Sequence, residues 1–243
     1  MTRLPALYTD LADWWQVISP TADYADEAAF FRTLFQNSGV QTLLELGAGG
    51  GNVAFYLKRD FRMTLTDLSP AMQAMSRKQN PECEHIVGDM RTLDLGRTFD
   101  GVLIHDAIMY MLTERDLAQA FATAARHLKQ GGILVVAPDC TRETFKDGAV
   151  LEGHDAGDRA VQYVQWISDP DPTDTTFNYD FVIGMKEAGT LKAVVDRQLC
   201  GLFPRQTWLD LMTAAGCDAK AVLDPSTAGE PTERIEIFVG YRR

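Results

Sequence analysis

The sequence predicts an α/β fold: a doubly wound, mostly parallel sheet that carries a small antiparallel β insertion. Three observations predict it. Between residues 43 and 139, short apolar runs alternate with helical segments, the pattern of a parallel sheet with helices on both faces. The first run, Leu43-Leu44-Glu45-Leu46, feeds directly into Gly47-Ala48-Gly49-Gly50-Gly51, a glycine-dense turn behind an acidic residue. Beyond the fifth run lie three segments rich in Val, Tyr, Phe and Thr, separated by turn-forming residues.

Residues 1–40 hold Tyr8, Trp14, Trp15, Tyr24, Phe30, Phe31 and Phe35. The spacing predicts an amphipathic helix from Ala25 to Phe35 that seals the sheet edge. After the first strand, Gly47 suits a φ > 0 turn, Gly49 lets a ligand approach the backbone, and Gly51 lets the helix Asn52 to Lys58 pack closely. The second strand, Met63 to Asp67, ends on a carboxylate about 20 residues after the loop, where such a group can accept both ribose hydroxyls. Asp67-Leu68-Ser69-Pro70 then starts a helix running to Lys78, and Ser69 competes with Asp67 for its N-cap. A third strand, Glu84 to Val87, leads to Gly88-Asp89-Met90, and the fourth runs from Phe99 through His105 and Asp106. A helix from Glu114 to Leu128 and a Gly131-Gly132 turn precede the rest of the fifth strand, which ends at Val136 ahead of Asp139. Ala160 to Ile167, Thr175 to Met185 and Leu191 to Leu202 read as a three-stranded insertion. Before it, Glu152 to Gly157, with His154, reads as a solvated turn or a mobile lid. A last helix, Arg205 to Ala215, and strands near Ala219 to Leu223 and Ile235 to Tyr241 close the chain.

The loop spacing discriminates between ligands. A dinucleotide fingerprint, G-x-G-x-x-G/A, needs Gly or Ala at position 52, where Asn52 stands, and there is no Tyr-x-x-x-Lys pair of an oxidoreductase. The pattern present is acidic-x-G-x-G-x-G, from Glu45 to Gly51. With Asp67, Gly88-Asp89-Met90 and the fourth and fifth strands in the same order, this stretch resembles the class I S-adenosylmethionine-dependent methyltransferases. The resemblance implies their Rossmann-like fold with a seven-stranded sheet, S-adenosylmethionine as cofactor and ligand binding at the strands' C-terminal ends. It assigns cofactor contacts to Glu45, Gly47, Ala48, Gly49, Gly51, Asp67 and Leu68, with Asp89 on the adenine amino group and Met90 on the ring. His105 would face the sulfonium, and Tyr24 would line the cofactor or substrate pocket, because Tyr24-Ala25-Asp26-Glu27-Ala28 is similar to a segment of the amino-sugar N-methyltransferases. Glu143 to Gly148 and Leu202 to Trp208 are similar to the same group, as is a β insertion at this place.

We therefore expect one domain over residues 1–243: an N-terminal helical cover (1–40), a cofactor-binding core (41–153), the insertion (154–203) as substrate cover or dimer element, and a last helix with C-terminal strands (204–243). A net charge of −11 repels polyanions and no basic patch interleaved with aromatics offsets it, so no nucleic acid is expected as partner. No run is apolar enough to span a bilayer, and the opening residues lack a signal-peptide core, so we expect a cytoplasmic protein without a membrane partner. Cys83, Cys140, Cys200 and Cys217 are widely spaced and show no metal-site spacing, so no metal is expected.

Methyl transfer from a sulfonium is an in-line displacement, in which the protein aligns the partners, excludes water and removes a proton from the acceptor. Candidate catalytic residues are His105, Asp106 and Tyr110; His105 leads, because imidazole titrates near neutrality, and Asp106 inherits the pocket if His105 packs inward. Asp139, Tyr8 and Trp15 are candidate acceptor contacts. The expected function is methyl transfer to a small molecule, with nitrogen preferred as acceptor. The alternatives are an O- or carboxyl-methyltransferase using His105 as base, and a cofactor-binding protein without turnover.

Overall fold

The computed structural model describes residues 4–225 and 235–243; residues 1–3 of the opening segment lie outside it. The strands are β1 (Thr42–Leu46), β2 (Arg62–Asp67), β3 (Glu84–Val87), β4 (Phe99–Ile104), β5 (Leu128–Val136), β6 (Gly148–Asp155), β7 (Arg159–Ser168), β8 (Thr176–Glu187), β9 (Thr190–Gly201), β10 (Cys217–Leu223) and β11 (Glu236–Arg242). The helices are α1 (Trp15–Ile18), α2 (Ala25–Asn37), α3 (Asn52–Leu57), α4 (Pro70–Gln79), α5 (Glu114–Arg126) and α6 (Arg205–Ala214). Seven strands form one sheet in the order β10-β11-β5-β4-β1-β2-β3. Only β11 runs antiparallel, to both β5 and β10. The order reverses at β1, between β4 and β2, which opens a crevice at the C-terminal strand ends where the glycine loop begins. No described helix is long and apolar enough to cross a membrane.

Alternation along β1 builds two cores. Leu44 and Leu46 join Phe121, Trp208 and Phe238 beneath α5 and α6, whereas Leu43 joins Phe31, Phe35, Leu103 and Ile133 beneath α2 and α3. Helix α2 thus covers a face of the sheet, not its edge: Phe35 lies over Gly101 of β4, where a Cβ would come within 3.2 Å of its ring. A third cluster packs Leu7, Leu11, Trp14, Val17 and Ile18 of the N-terminal segment on Val161, Tyr163, Ile183 and Met185 of the small sheet.

That small sheet has four strands, in the order β6-β7-β8-β9, where the sequence predicts three. The additional strand, β6, occupies part of the segment read as a turn or lid, and His154 pairs in register with Val161. Nearly every residue of β6 is exposed, so it offers no apolar alternation to read. The fourth strand is shorter than expected. It ends at Ile104, and a 3-10 turn from Asp106 to Tyr110 follows, with His105 as its extended N-cap. Consequently His105 and Asp106 do not alternate as neighbours on a strand.

Candidate active site

Strand β1 delivers the glycine loop, whose Gly47, Gly49 and Gly51 all have positive φ (80°, 53° and 82°). Two of the three have no room for a side chain. A Cβ on Gly47 would lie 2.4 Å from the Ala107 Cβ, and one on Gly51 would lie 2.3 Å from Asn80 Nδ2, whose amide donates to the Gly51 carbonyl at 2.9 Å. At Gly49 the nearest atom is the Met72 methyl at 3.8 Å, so this position stays open to a ligand. Ala48 is buried and Leu68, next to Asp67, is 47% exposed.

Asp67 is held by the loop it serves. Gly49 N donates to one carboxylate oxygen at 2.8 Å and Ser69 N to the other at 2.7 Å, which leaves each oxygen a further lone pair for a ribose hydroxyl. Burial pushes its pKa up, against those amide bonds. Asp89 instead lies in a bidentate pair with Arg91 (2.6 Å at the shortest), which holds its carboxyl below the usual range. Arg91 also reaches Asp116 at 3.1 Å, and Met90, buried, points its methyl at Gly47. Glu45 is 2% exposed, its Oε2 has no hydrogen-bond partner, and burial pushes its carboxyl up to about 8. A glycine cradle, an acid whose oxygens each keep a free lone pair and an orphaned buried polar oxygen are features a positively charged nucleoside cofactor fits.

His105 packs inward. Its side chain is 9% exposed, against 48% for Asp106, and its ring meets Tyr24 and Phe31 edge-on at 6.1 and 5.6 Å. Its Nε2 lies 2.9 Å from Glu27 Oε1 and 2.9 Å from Asp106 Oδ1. Burial alone would lower the pKa of His105, but the charges of Asp106 and Glu27 outweigh it and hold the ring protonated well above the ordinary histidine value. An imidazolium with its Nε2 committed to two carboxylates is a poor proton acceptor, so the geometry does not favour the leading sequence candidate for a base.

Asp106 is closely surrounded by protein, yet nearly half of its side-chain surface is accessible, so it faces open space instead of packing into the core. Burial there would raise its pKa, but the neighbouring imidazolium outweighs this and keeps Asp106 ionised. Asp139, after β5, hydrogen-bonds Asp106 and is pushed well above the usual carboxylate range by burial and by the charge of Asp106, so the two share one proton. Tyr179 of β8 donates to Asp139 Oδ2 at 3.2 Å.

Beside this pair, the Tyr110 and Tyr8 hydroxyls lie 2.8 Å apart with rings edge-on at 5.6 Å, and Tyr110 donates to Gln198 Oε1 at 2.5 Å. Burial pushes both tyrosines up, so both are neutral. Tyr24 lies 2.6 Å from the Ser19 hydroxyl, next to His105. The Trp15 indole covers Gly50, where a Cβ would come within 2.3 Å of the ring, and lies 5.6 Å from the Tyr8 ring, so it bridges the glycine loop and Tyr8; its buried Nε1 is unpartnered. Sequence reasoning missed Gly50, Glu27, Gln198 and the Gln16 and Thr21 side chains, which bond Asn52 at 3.2 and 3.0 Å and tie the N-terminal segment to α3. Gly50 stands in the glycine loop and Glu27 in the segment around Tyr24, so a local signal existed for both, whereas Gln198, Gln16 and Thr21 lie in no recognisable local motif.

Residues 43–132 match the family described as a methyltransferase domain. The chain therefore carries a methyltransferase domain over residues 43–132, within a fold that it shares with solved sugar N-methyltransferases. Among curated relatives, it is 35% identical over 132 residues to the dTDP-3-amino-3,4,6-trideoxy-alpha-D-glucopyranose N,N-dimethyltransferase of Streptomyces venezuelae, a match covering 53% of this chain and 56% of that one. The chain spans about half the length of the curated relatives it matches above 30% identity. Two solved structures are similar over nearly their whole length. One is the sugar N-methyltransferase KedS8 from Streptoalloteichus sp ATCC 53650, with 27% identity, a TM-score of 0.84, and coverage of 100% of this chain and 95% of that chain. The other is SAM-bound CalS10, an amino pentose methyltransferase from Micromonospora echinaspora, with 28% identity, a TM-score of 0.78, and coverage of 90% and 92%.

Proposed function

We propose that this protein transfers a methyl group from S-adenosylmethionine to the amino nitrogen of a small molecule, of the amino-sugar class on which its named relatives act. The observation that carries the reading is the position of Asp106. An ionised carboxylate opens into the cleft beside a protonated one, at the C-terminal ends of β4 and β5 and next to the glycine loop. An amine acceptor arrives as an ammonium and must lose a proton before it can attack. Asp106 binds that cation and takes the proton, giving a neutral amine with a free lone pair. Asp139 and Tyr179 hold the nitrogen in line, and the Tyr8 and Tyr110 hydroxyls orient the rest of the acceptor. Asp67 binds the ribose hydroxyls, the loop from Gly47 to Gly51 admits the amino-acid portion, and Met90 packs on the adenine with Asp89 at its amino group. The cofactor supplies an electrophilic methyl; the chain supplies alignment, dryness and a proton acceptor. O- or carboxyl-methylation with His105 as base gains no support from this geometry.

S-adenosylhomocysteine should raise the melting temperature of the protein, and NAD and NADP should not. In the same assay Asp67→Ala should weaken S-adenosylhomocysteine binding by about 1–3 kcal/mol, the loss of charge-assisted hydrogen bonds. Stabilisation by NAD instead would overturn the cofactor assignment, and unchanged affinity of the variant would return Asp67 to loop capping.

We further propose that the outer face of the small sheet pairs with a second copy of the chain. Leu151, Val182 and Val195 form an exposed row across it, 72%, 39% and 62% accessible, flanked by Trp166 and Leu199. Asp180 and Arg197 lie on the same face, 3.6 Å apart, so a two-fold partner would meet both charges. Sedimentation should give a dimer that Val195→Lys converts to monomer; a monomeric wild type would end the idea.

A further inference from the structure

The N-terminal segment is clasped between two parts of the molecule, the small sheet and the glycine loop. On one side is the inner face of the small sheet, where Asp196 of β9 is 6% exposed. Its Oδ1 accepts the Ala6 amide at 2.9 Å, and its Oδ2 accepts the Leu7 amide at 3.2 Å and the Gln198 side-chain amide at 2.9 Å. Gln198, 4% exposed, passes the connection to Tyr110 and so to Tyr8 at the acceptor end of the cleft. On the other side is the cofactor loop. The Tyr8 carbonyl accepts the Ser69 hydroxyl at 2.5 Å; the Ser69 amide donates to Asp67 at 2.7 Å, and Asp67 in turn accepts the Gly49 amide at 2.8 Å. One continuous polar path thus runs from Asp196 of the small sheet, through the first turn of the chain, to the carboxylate and loop assigned to the cofactor.

We propose that Asp196, with Gln198, is a positioning residue that holds residues 4–24 closed over the cofactor loop and couples cofactor binding to the state of the acceptor cover. The inference rests on the cofactor reading of Asp67 and the glycine loop. The physical reason is that a buried carboxylate satisfied by three donors fixes what it holds, because each donor pulled away leaves an unpaired charge behind. The surrounding apolar contacts of Leu7, Leu11 and Trp14 with Val161 and Ile183 hold the segment against the small sheet without fixing its height over the loop. Asp196 fixes that height, because it grips the two backbone amides immediately before Tyr8. Residues that touch neither ligand then set the affinity for both.

The test uses S-adenosylhomocysteine titrated calorimetrically into wild type, Asp196→Ala and Asp196→Asn, with amide hydrogen exchange of residues 4–24 followed before ligand is added. Asp196→Ala should bind about tenfold more weakly, within the usual range of coupling between sites, although Asp196 lies away from the cofactor loop. Exchange at Ala6 and Leu7 should quicken, while that of β1 and β4 stays at the wild-type rate. Asp196→Asn keeps the shape and one acceptor oxygen and should fall between the two; it decides the matter if Asp196→Ala does not fold. A variant that melts earlier yet keeps wild-type affinity and wild-type exchange at Ala6 and Leu7 would reduce Asp196 to an ordinary structural contact. Wild type that fails to bind S-adenosylhomocysteine would sink the cofactor reading instead, and the exchange rates without ligand would still judge the clasp.

Discussion

Replacing Asp106 by Asn should lower kcat with an amino-sugar acceptor by about 10²–10⁴-fold while leaving affinity for S-adenosylhomocysteine almost unchanged. The substitution keeps size and hydrogen-bonding shape but removes the only property the proposed step needs, a charge able to take a proton. Ionised at neutral pH because the His105 imidazolium outweighs its burial, Asp106 faces accessible space. The sign of the pH effect follows. Since the Asp106 pKa is lowered, the base form persists into mild acid and is lost only as pH falls through that depressed value. His105, whose pKa is raised, keeps its charge through neutrality and releases Asp106 from that influence only in alkali. His105→Ala should therefore act through Asp106, shifting the acid limb of the rate profile upward in pH. A full wild-type rate in Asp106→Asn would mean that the proton leaves to water and that alignment alone supplies the catalysis. A matched fall in cofactor affinity would instead make Asp106 part of the cofactor site.

The parts of the site that were legible in the sequence are those built by contiguous strand, turn and helix. Gly47, Gly49, Gly51 and Asp67 carry their geometry in their spacing, because a turn with positive φ admits few residue types and an acid at the end of the next strand has few places to go. Most strands of the main sheet were legible for the same reason, as apolar runs bounded by turn residues, while their number, seven, followed from the family resemblance. What was not legible depends on contacts between distant positions. Glu27 meets His105 across 78 residues and Gln198 meets Tyr110 across 88, and nothing local marks either pairing. Strand β6 was hidden by its exposure, and aromatic composition does not say that the Trp15 ring will cover Gly50. The preference for His105 over Asp106 rested on imidazole titrating near neutrality, and no local signal shows that its Nε2 will lie 2.9 Å from both Glu27 and Asp106, which raise its pKa.

Glu45→Gln should make the protein more stable in alkali and should leave it nearly unchanged near pH 5. In the folded chain burial raises the Glu45 carboxyl from 4.5 to about 8, and its Oε2 is unpartnered. The unfolded chain gives up this proton near its ordinary value and the folded chain keeps it, so the unfolded state binds fewer protons throughout that window. Stability therefore falls as pH rises from 4.5 toward 8. A shift of this size corresponds to about 4–5 kcal/mol at the alkaline end, as an order of magnitude, and glutamine, neutral at every pH, removes the slope. His105 and Asp139, both raised, slope in the same direction, but they are present in both proteins and largely cancel in the difference. Urea unfolding of the two proteins at pH 5, 6.5 and 8 measures it, and parallel curves would show that Glu45 is ionised without penalty. If the variant gains stability and at the same time loses affinity for S-adenosylmethionine, the orphaned oxygen is stability given up for a ligand. A buried carboxyl oxygen with no partner in the fold is then completed by the cofactor, and the acidic position ahead of the glycine loop is kept for binding and not for folding.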